Sequence, residues 1–210
     1  MDRDLTAQTK ARYNRIAPYY DLVEFLSERV FKSWRRMLLS RAKGKILEVG
    51  VGTGKNFPYY PKNSDITGID IADKMLPLAE KRADKIGLVM KLMEGDVQAL
   101  SFPDNFFDTA VATFVFCSVP DPVLGLKELR RVVKPDGQIL LLEHVRIDRP
   151  IIGSLMDALN PLFVFLLGPN INRRTVENVA KAGLVIRDIE HLGPMEMVKM
   201  IIADPSKTRG

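Results

Sequence analysis

From residue 45 onward the chain alternates short apolar runs with longer segments of helical period, the pattern of a parallel sheet flanked by helices. Ile46, Leu47 and Val49, interrupted only by Glu48, run straight into Gly50, Gly52 and Gly54. This reads as a buried strand ending in a loop where the backbone must approach a ligand closely. The same reading gives strands near 45–50, 65–70, 89–94, 107–113, 137–144, 184–191 and 195–203, with helices near 54–60, 72–87, 121–134 and 172–182 between them. Lys134-Pro135-Asp136-Gly137 is expected as a turn that closes a helix and launches the fifth strand. Only a short turn around Gly193 and Pro194 separates the last two strands, which predicts an antiparallel hairpin at the sheet edge.

Ahead of the sheet, residues 5–40 read as helical, broken at Pro18. Leu22, Phe25, Leu26, Val30, Phe31, Trp34 and Leu38 recur at helical intervals, with Lys32, Arg35 and Arg36 beside the stripe. Trp34 and Leu38 are expected to pack on the sheet. The most apolar stretch, Arg149 to Gly168, is divided by Asp157, Asn160 and Pro161, and its longest unbroken apolar run, Leu162–Leu167, is six residues. That is far below the roughly 20 needed to span a bilayer. Its position puts it over the carboxyl ends of the strands, as an acceptor lid or a membrane-contacting flap. The predicted organisation is one domain over 1–210, with a helical cover (1–44), a core (45–147 and 170–204) and an apolar insertion (148–169).

Composition narrows the function classes. A length of 210 residues suffices for a full core, and the lone Cys117 with only His144 and His191 argues against a disulfide framework or a metal centre. No apolar leader follows the charged N-terminus, so a cytoplasmic location is expected. The net charge of +5 is uneven: residues 1–45 hold eleven Lys or Arg against five acids, and the remainder is slightly acidic. Such a basic segment suits an anionic membrane surface. No RNA-binding motif accompanies it, so a nucleic-acid partner is not expected.

The candidate chemistry begins with Asp70, at the end of Ile66-Thr-Gly-Ile-Asp70 and twenty residues beyond Gly50. A carboxylate there suits ribose hydroxyls. The loop reads G-x-G-x-G rather than the dinucleotide G-x-G-x-x-G, and Glu48 beside it would repel a pyrophosphate. A cationic nucleoside fits better. Met75 is placed to lie against its base.

These motifs resemble the class I S-adenosylmethionine (SAM) methyltransferases. The resemblance extends over Tyr-Asn-Arg-Ile-Ala-Pro-Tyr-Tyr-Asp at 13–21, Gly-Ile-Asp at 68–70, Gly-Asp at 95–96, Ser101-Phe-Pro-Asp and the Lys-Pro-Asp-Gly turn. It points to the branch of quinone-precursor C-methyltransferases, bacterial phosphatidylethanolamine N-methyltransferases and thiol methyltransferases. The resemblance implies a Rossmann-like α/β fold, with a seven-stranded, mostly parallel sheet, an antiparallel last strand and helices on both faces. It implies SAM as cofactor and S-adenosylhomocysteine as product. It also implies Glu48 near the amino-acid end, Asp96 on the adenine amino group, Val97 on the ring, and Thr113 and Phe114 on the methionine side. His144, at the end of the fifth strand, is the candidate base, and Tyr19 and Tyr20 are candidates to fold over the sulfonium. Cys117 reads as a buried thiol. The expected function is methyl transfer to a lipid-like acceptor, foremost a phospholipid amine headgroup. The alternatives are C-methylation of a quinone precursor, S-methylation of a small thiol, a soluble small acceptor, or a SAM-binding regulatory module.

Overall fold

The computed structural model describes residues 3–23, 25–166 and 168–205. The side chains of Phe25 and Leu26, assigned above to the apolar stripe, and Leu167 lie outside those described. Seven strands are present: β1 (Lys45–Val49), β2 (Asp65–Asp70), β3 (Lys91–Glu94), β4 (Phe107–Thr113), β5 (Val133–His144), β6 (Val185–Leu192) and β7 (Val198–Asp204). They form one sheet in the order β3-β2-β1-β4-β5-β7-β6. Every neighbouring pair is parallel except those made by β7, which is antiparallel to both β5 and β6. The expected hairpin forms, but β7 inserts between β5 and β6, so β6 is the edge strand. Strand order reverses between β1 and β4, and such a reversal opens a crevice at the carboxyl ends of those strands.

Period-2 alternation sorts the sheet's side chains to two faces. Leu47, Val49, Ala110 and Leu141 pack toward Leu126 and Leu129 of α5 (Pro122–Val132) and Val179 of α7 (Thr175–Lys181). On the other face Ile46, Val111 and Leu140 meet Leu38 and Leu39 of α3 (Phe25–Leu39) and Ala79 and Ala83 of α4 (Leu76–Ile86). Leu38 and Leu39 are fully buried, and each such side chain contributes about 1.5–3 kcal/mol. The C-terminal half of the predicted stripe therefore fixes α3 to the sheet, with Trp34 packed at its border. Nearer its front end Leu22 is 77% exposed and Val30 52%.

Three local expectations are corrected. The helix expected near 54–60 is a series of turns ending in one 3-10 turn, Phe57–Tyr59, because Pro58 and Pro61 leave no room for longer i→i−4 bonding. The helix expected from 72 begins at Leu76, where Pro77 occupies its first turn. The Lys134–Gly137 turn is carried inside β5 as a bulge. Val133 pairs with Phe107 and Gln138 with Thr109, so four residues face Asp108. The helices before the sheet are α1 (Arg3–Ile16) and α2 (Tyr20–Val23), joined by a 3-10 turn that holds Pro18. The apolar stretch forms one helix, α6 (Pro150–Leu166), with Pro161 inside it.

Candidate active site

Two adjoining cavities lie at the carboxyl ends of β1, β2 and β4. The larger, about 700 Å³, is lined among others by Asp70, Met75, Asp96 and Val97 from the β2 and β3 ends and by Thr9 and Tyr13 of α1. The smaller, about 300 Å³, is lined by Arg35, Val51, Thr53, Lys55 and Asn56. Tyr20, Gly50, Gly52, Thr113 and Phe114 line both and form the rim between them.

The carboxylate of Asp70 holds the glycine loop. Its Oδ2 accepts the Gly52 N–H (2.8 Å) and its Oδ1 the Ala72 N–H (2.8 Å). Burial pushes this carboxyl up, and the two N–H donors oppose that shift. Each carboxylate oxygen has a second acceptor site. Because Asp70 lines the cleft, those sites can receive two neighbouring hydroxyls, as a ribose presents. At Gly52 an added Cβ would meet nothing within 4 Å, so this is where the loop leaves space open to the cavities. The other two glycines answer internal needs. A Cβ at Gly50 would strike Val115, and one at Gly54 would strike the Phe57 ring. Gly54 lines neither cavity.

Glu48 is buried beneath the loop. Its Oε1 accepts from Asn56 Nδ2 and its Oε2 from the Tyr60 hydroxyl, both at 2.8 Å, and burial raises its carboxyl to about 7. It lines neither cavity and communicates with the smaller one through Asn56. Asn56 Oδ1 in turn accepts from Arg35 Nη1 (2.8 Å), which also donates to Thr113 Oγ1 (2.7 Å). Arg35 is buried, its Nε without a hydrogen-bond partner among the described residues and 3.7 Å from Glu28 Oε2. Lys55 Nζ stands 3.7 Å from Asp21 and 5.4 Å from the centre of the Tyr20 ring. Sequence reasoning set Arg35 beside the stripe and gave Lys55 no role. The available signal was the register: Phe31, Arg35 and Leu38 share one helical face, so the cation had to be buried with it.

The β4 end turns sharply. Phe114 has φ 59°, an uncommon value for a non-glycine residue. Its N–H donates to Leu142 O (2.7 Å), and Glu143 Oε1 accepts the next two N–H groups, from Val115 and Phe116, at 2.9 and 3.1 Å. Glu143 is fully buried, which raises its carboxyl to about 7. His144 lies behind the rim rather than on it. Its ring packs 4.6 Å from that of Phe114 and 5.7 Å from that of Phe31, outside the lining of both cavities. Of the tyrosine pair, Tyr20 is on the rim while Tyr19 is 65% exposed and lines neither cavity. Asp96 caps its own turn through Gln98 N (2.9 Å), with Val97 buried beside it, and Met75 is buried at the cleft floor.

Helix α1 crosses the mouth of the larger cavity. The Tyr13 hydroxyl lies 2.5 Å from Ser118 Oγ, Lys10 Nζ pairs with Asp73 (3.1 Å) and Glu94 (2.5 Å), and Asn14 Nδ2 donates to Asp73 (2.8 Å). Thr9, Tyr13 and Ser118 escaped the sequence reading, because helical period shows that α1 is amphipathic but not which strand ends it covers.

The pieces fit a nucleoside with an aliphatic, charged tail: two acceptor sites for a diol, an apolar floor, and a second, cation-lined cavity across an aromatic rim. A methyltransferase-domain family model matches residues 47–141. A phosphatidylethanolamine N-methyltransferase of Cereibacter sphaeroides is 35% identical over 152 residues, which are 70% of this chain and 73% of that protein. A demethylmenaquinone methyltransferase of Thermus thermophilus is 34% identical over 139 residues, 62% of this chain and 63% of that one. In fold, a SAM-dependent methyltransferase from Thermotoga maritima superposes with a TM-score of 0.70 at 20% identity, over 94% of this chain and 100% of the other. The chain belongs to the class I SAM-dependent methyltransferases, with SAM as its cofactor.

Proposed function

We propose that this methyltransferase acts on a lipid-like acceptor, the amine headgroup of a phospholipid, at an anionic membrane surface. SAM supplies an electrophilic methyl group on a sulfonium, and the protein's task is to align the acceptor with it. In this reading Asp70 takes the ribose hydroxyls, Asp96, Val97 and Met75 take the adenine, and Gly52 gives the tail a path across the rim. Arg35 and Lys55 face the tail's carboxylate in the smaller cavity.

The observation that carries the acceptor class is the rim itself. Tyr20 and Phe114 line both cavities where they meet, and aromatic rings at that place favour a sulfonium and the ammonium product of amine methylation. An amine brings its own lone pair and only has to lose a proton, so it asks less of a base than a carbon acceptor does. The basic N-terminal segment and the 35% identical phosphatidylethanolamine N-methyltransferase support the same choice. C-methylation of a quinone precursor is the second reading. It is favoured by the demethylmenaquinone methyltransferase likeness and by His144 stacked on the back of Phe114.

Labelled SAM offered with phosphatidylethanolamine and, separately, with a demethylated quinone decides between them. Methyl label in the mono- and dimethylated amine lipid is the expected outcome. Label only in the quinone would transfer the assignment to carbon.

A further inference from the structure

Helix α6 is amphipathic in the inverted sense. Its Asp157 and Asn160 side chains are engaged by the protein. Asp157 Oδ2 accepts from Arg146 Nη2 (2.9 Å), Asn160 Nδ2 donates to Asn170 (3.0 Å), and Asn160 Oδ1 accepts the Ile171 N–H (2.9 Å). Gly153 lies directly against the Arg146 guanidinium, where any side chain would collide. The opposite face carries Ile151, Leu155, Leu159 and Leu162, spaced four, four and three residues apart, at 86, 56, 39 and 53% exposure. Ser154 and Ala158 fill the intervals, so no charge interrupts the face. A soluble surface rarely leaves such a stripe uncovered without a partner.

Charge and position identify the partner. Arg149 stands exposed immediately before the helix, and Arg12 donates to Gly168 O (3.3 Å) just beyond its end. Most acids nearby are paired, Asp157 with Arg146, Glu177 with Arg174 (2.9 Å) and Glu196 with His191, while Asp148 stands exposed 4.0 Å from Lys199. Arginines therefore border an apolar face at both ends, the complement of an anionic lipid surface. With 17 residues the helix is about 25 Å long, and no described helix is long and apolar enough to cross a membrane. It also adjoins the cleft. Gly168 O accepts from Arg12, one residue before Tyr13, and Asn170 Nδ2 donates to Cys117 O (2.9 Å) on the β4 loop. Tyr13 and that loop are walls of the larger cavity.

We propose that the outward face of α6 lies in the plane of an anionic lipid surface and sets the cleft mouth against the layer that holds the acceptor. The choice of lipid over another protein rests on the lipid-acceptor reading above.

The test uses the whole chain and vesicles of phosphatidylglycerol with phosphatidylethanolamine, against vesicles of phosphatidylcholine alone. The protein should sediment with the anionic vesicles at low salt. The double variant Ile151→Ser, Leu155→Ser should keep its melting temperature and SAM affinity yet bind at least about tenfold more weakly, since it forfeits apolar burial at the interface. Leu155→Trp should give blue-shifted emission with the anionic vesicles only. Unchanged vesicle binding by the double variant overturns the proposal. So does self-association of the wild type that the double variant abolishes in the absence of vesicle binding, which would give the face to a second copy. Monomeric short-chain phosphatidylethanolamine separates the two readings. Its methylation by a protein that ignores vesicles overturns the docking face alone. Vesicle binding with no transfer to any lipid amine overturns the acceptor reading and leaves the docking face standing.

Discussion

Asp70 does two jobs with one carboxylate, which makes its replacement informative. It holds Gly52 and Ala72 through their N–H groups and keeps one acceptor site per oxygen for a ligand. Asp70→Ala should weaken SAM binding by about 1.5–3 kcal/mol per charge-assisted bond before water compensates, read by calorimetric titration. Unaltered affinity would remove Asp70 from the donor site. The glycines predict a sharper contrast. Gly52→Ala projects a methyl group into open space at φ 54° and should lower SAM affinity with a modest loss of stability. Gly54→Ala drives a Cβ into the Phe57 ring and should chiefly lower the melting temperature. His144→Ala distinguishes a buttress from a base. Lost ring packing behind Phe114 should leave SAM affinity intact and slow turnover less than about tenfold, whereas general-base catalysis is worth about 100- to 10,000-fold.

At the scale of elements, α1 is strapped rather than packed. Apart from Tyr13, which packs against Ala17, Ala72 and Met75, α1 is held by exposed or half-exposed polar pairs, and such pairs are individually worth about 0–1 kcal/mol. A Lys10→Ala, Tyr13→Phe double variant should therefore raise the dissociation rate of SAM several-fold without unfolding the protein, measurable by stopped-flow competition. The same physics limits what the sequence discloses. The cores of β1, β2 and β4 were legible to within a residue or two, because runs such as Ile46–Val49 are buried on both faces and can hardly be anything else. The 54–60 segment was misread because its apolar residues obey helical spacing while two prolines forbid the hydrogen bonds. The orientation of α6 was beyond reach: Asp157 and Asn160 find their partners in Arg146, Asn170 and Ile171, and no local pattern encodes those pairings. The lining that Gly50, Gly52 and Asp70 give the larger cavity was legible, since glycine spacing and Asp70 are local in sequence. The smaller cavity was not, because it joins Arg35, Lys55 and Thr113 from three elements.

Across the whole molecule, the carboxyl edge of the sheet concentrates buried acids: Glu48 on β1, Asp70 on β2 and Glu143 on β5. Burial raises all three, Glu48 and Glu143 to about 7, so the site is built at a cost in stability, as functional sites commonly are. The pH dependence follows from linkage. Between the ordinary glutamate value of 4.5 and about 7 the folded chain retains a proton on Glu143 that the unfolded chain has released. The folded state thus binds more protons than the unfolded one, and stability falls as pH rises through this window. The exposed, ion-paired acids with lowered values, such as Asp157 and Glu177, act in the opposite sense but below about pH 4.5, so the two effects separate. Glu143→Gln isolates this contribution. The amide oxygen can still accept the Val115 and Phe116 N–H groups, and no proton is taken up or released. At pH 5 the variant and the wild type should unfold at nearly the same denaturant concentration, whereas at pH 8 the variant should be the more stable, by an amount approaching roughly 3 kcal/mol. Parallel pH profiles for the two proteins would mean that Glu143 stays ionised within the fold, and the β4 loop would then owe its shape to a charge rather than to a neutral acid.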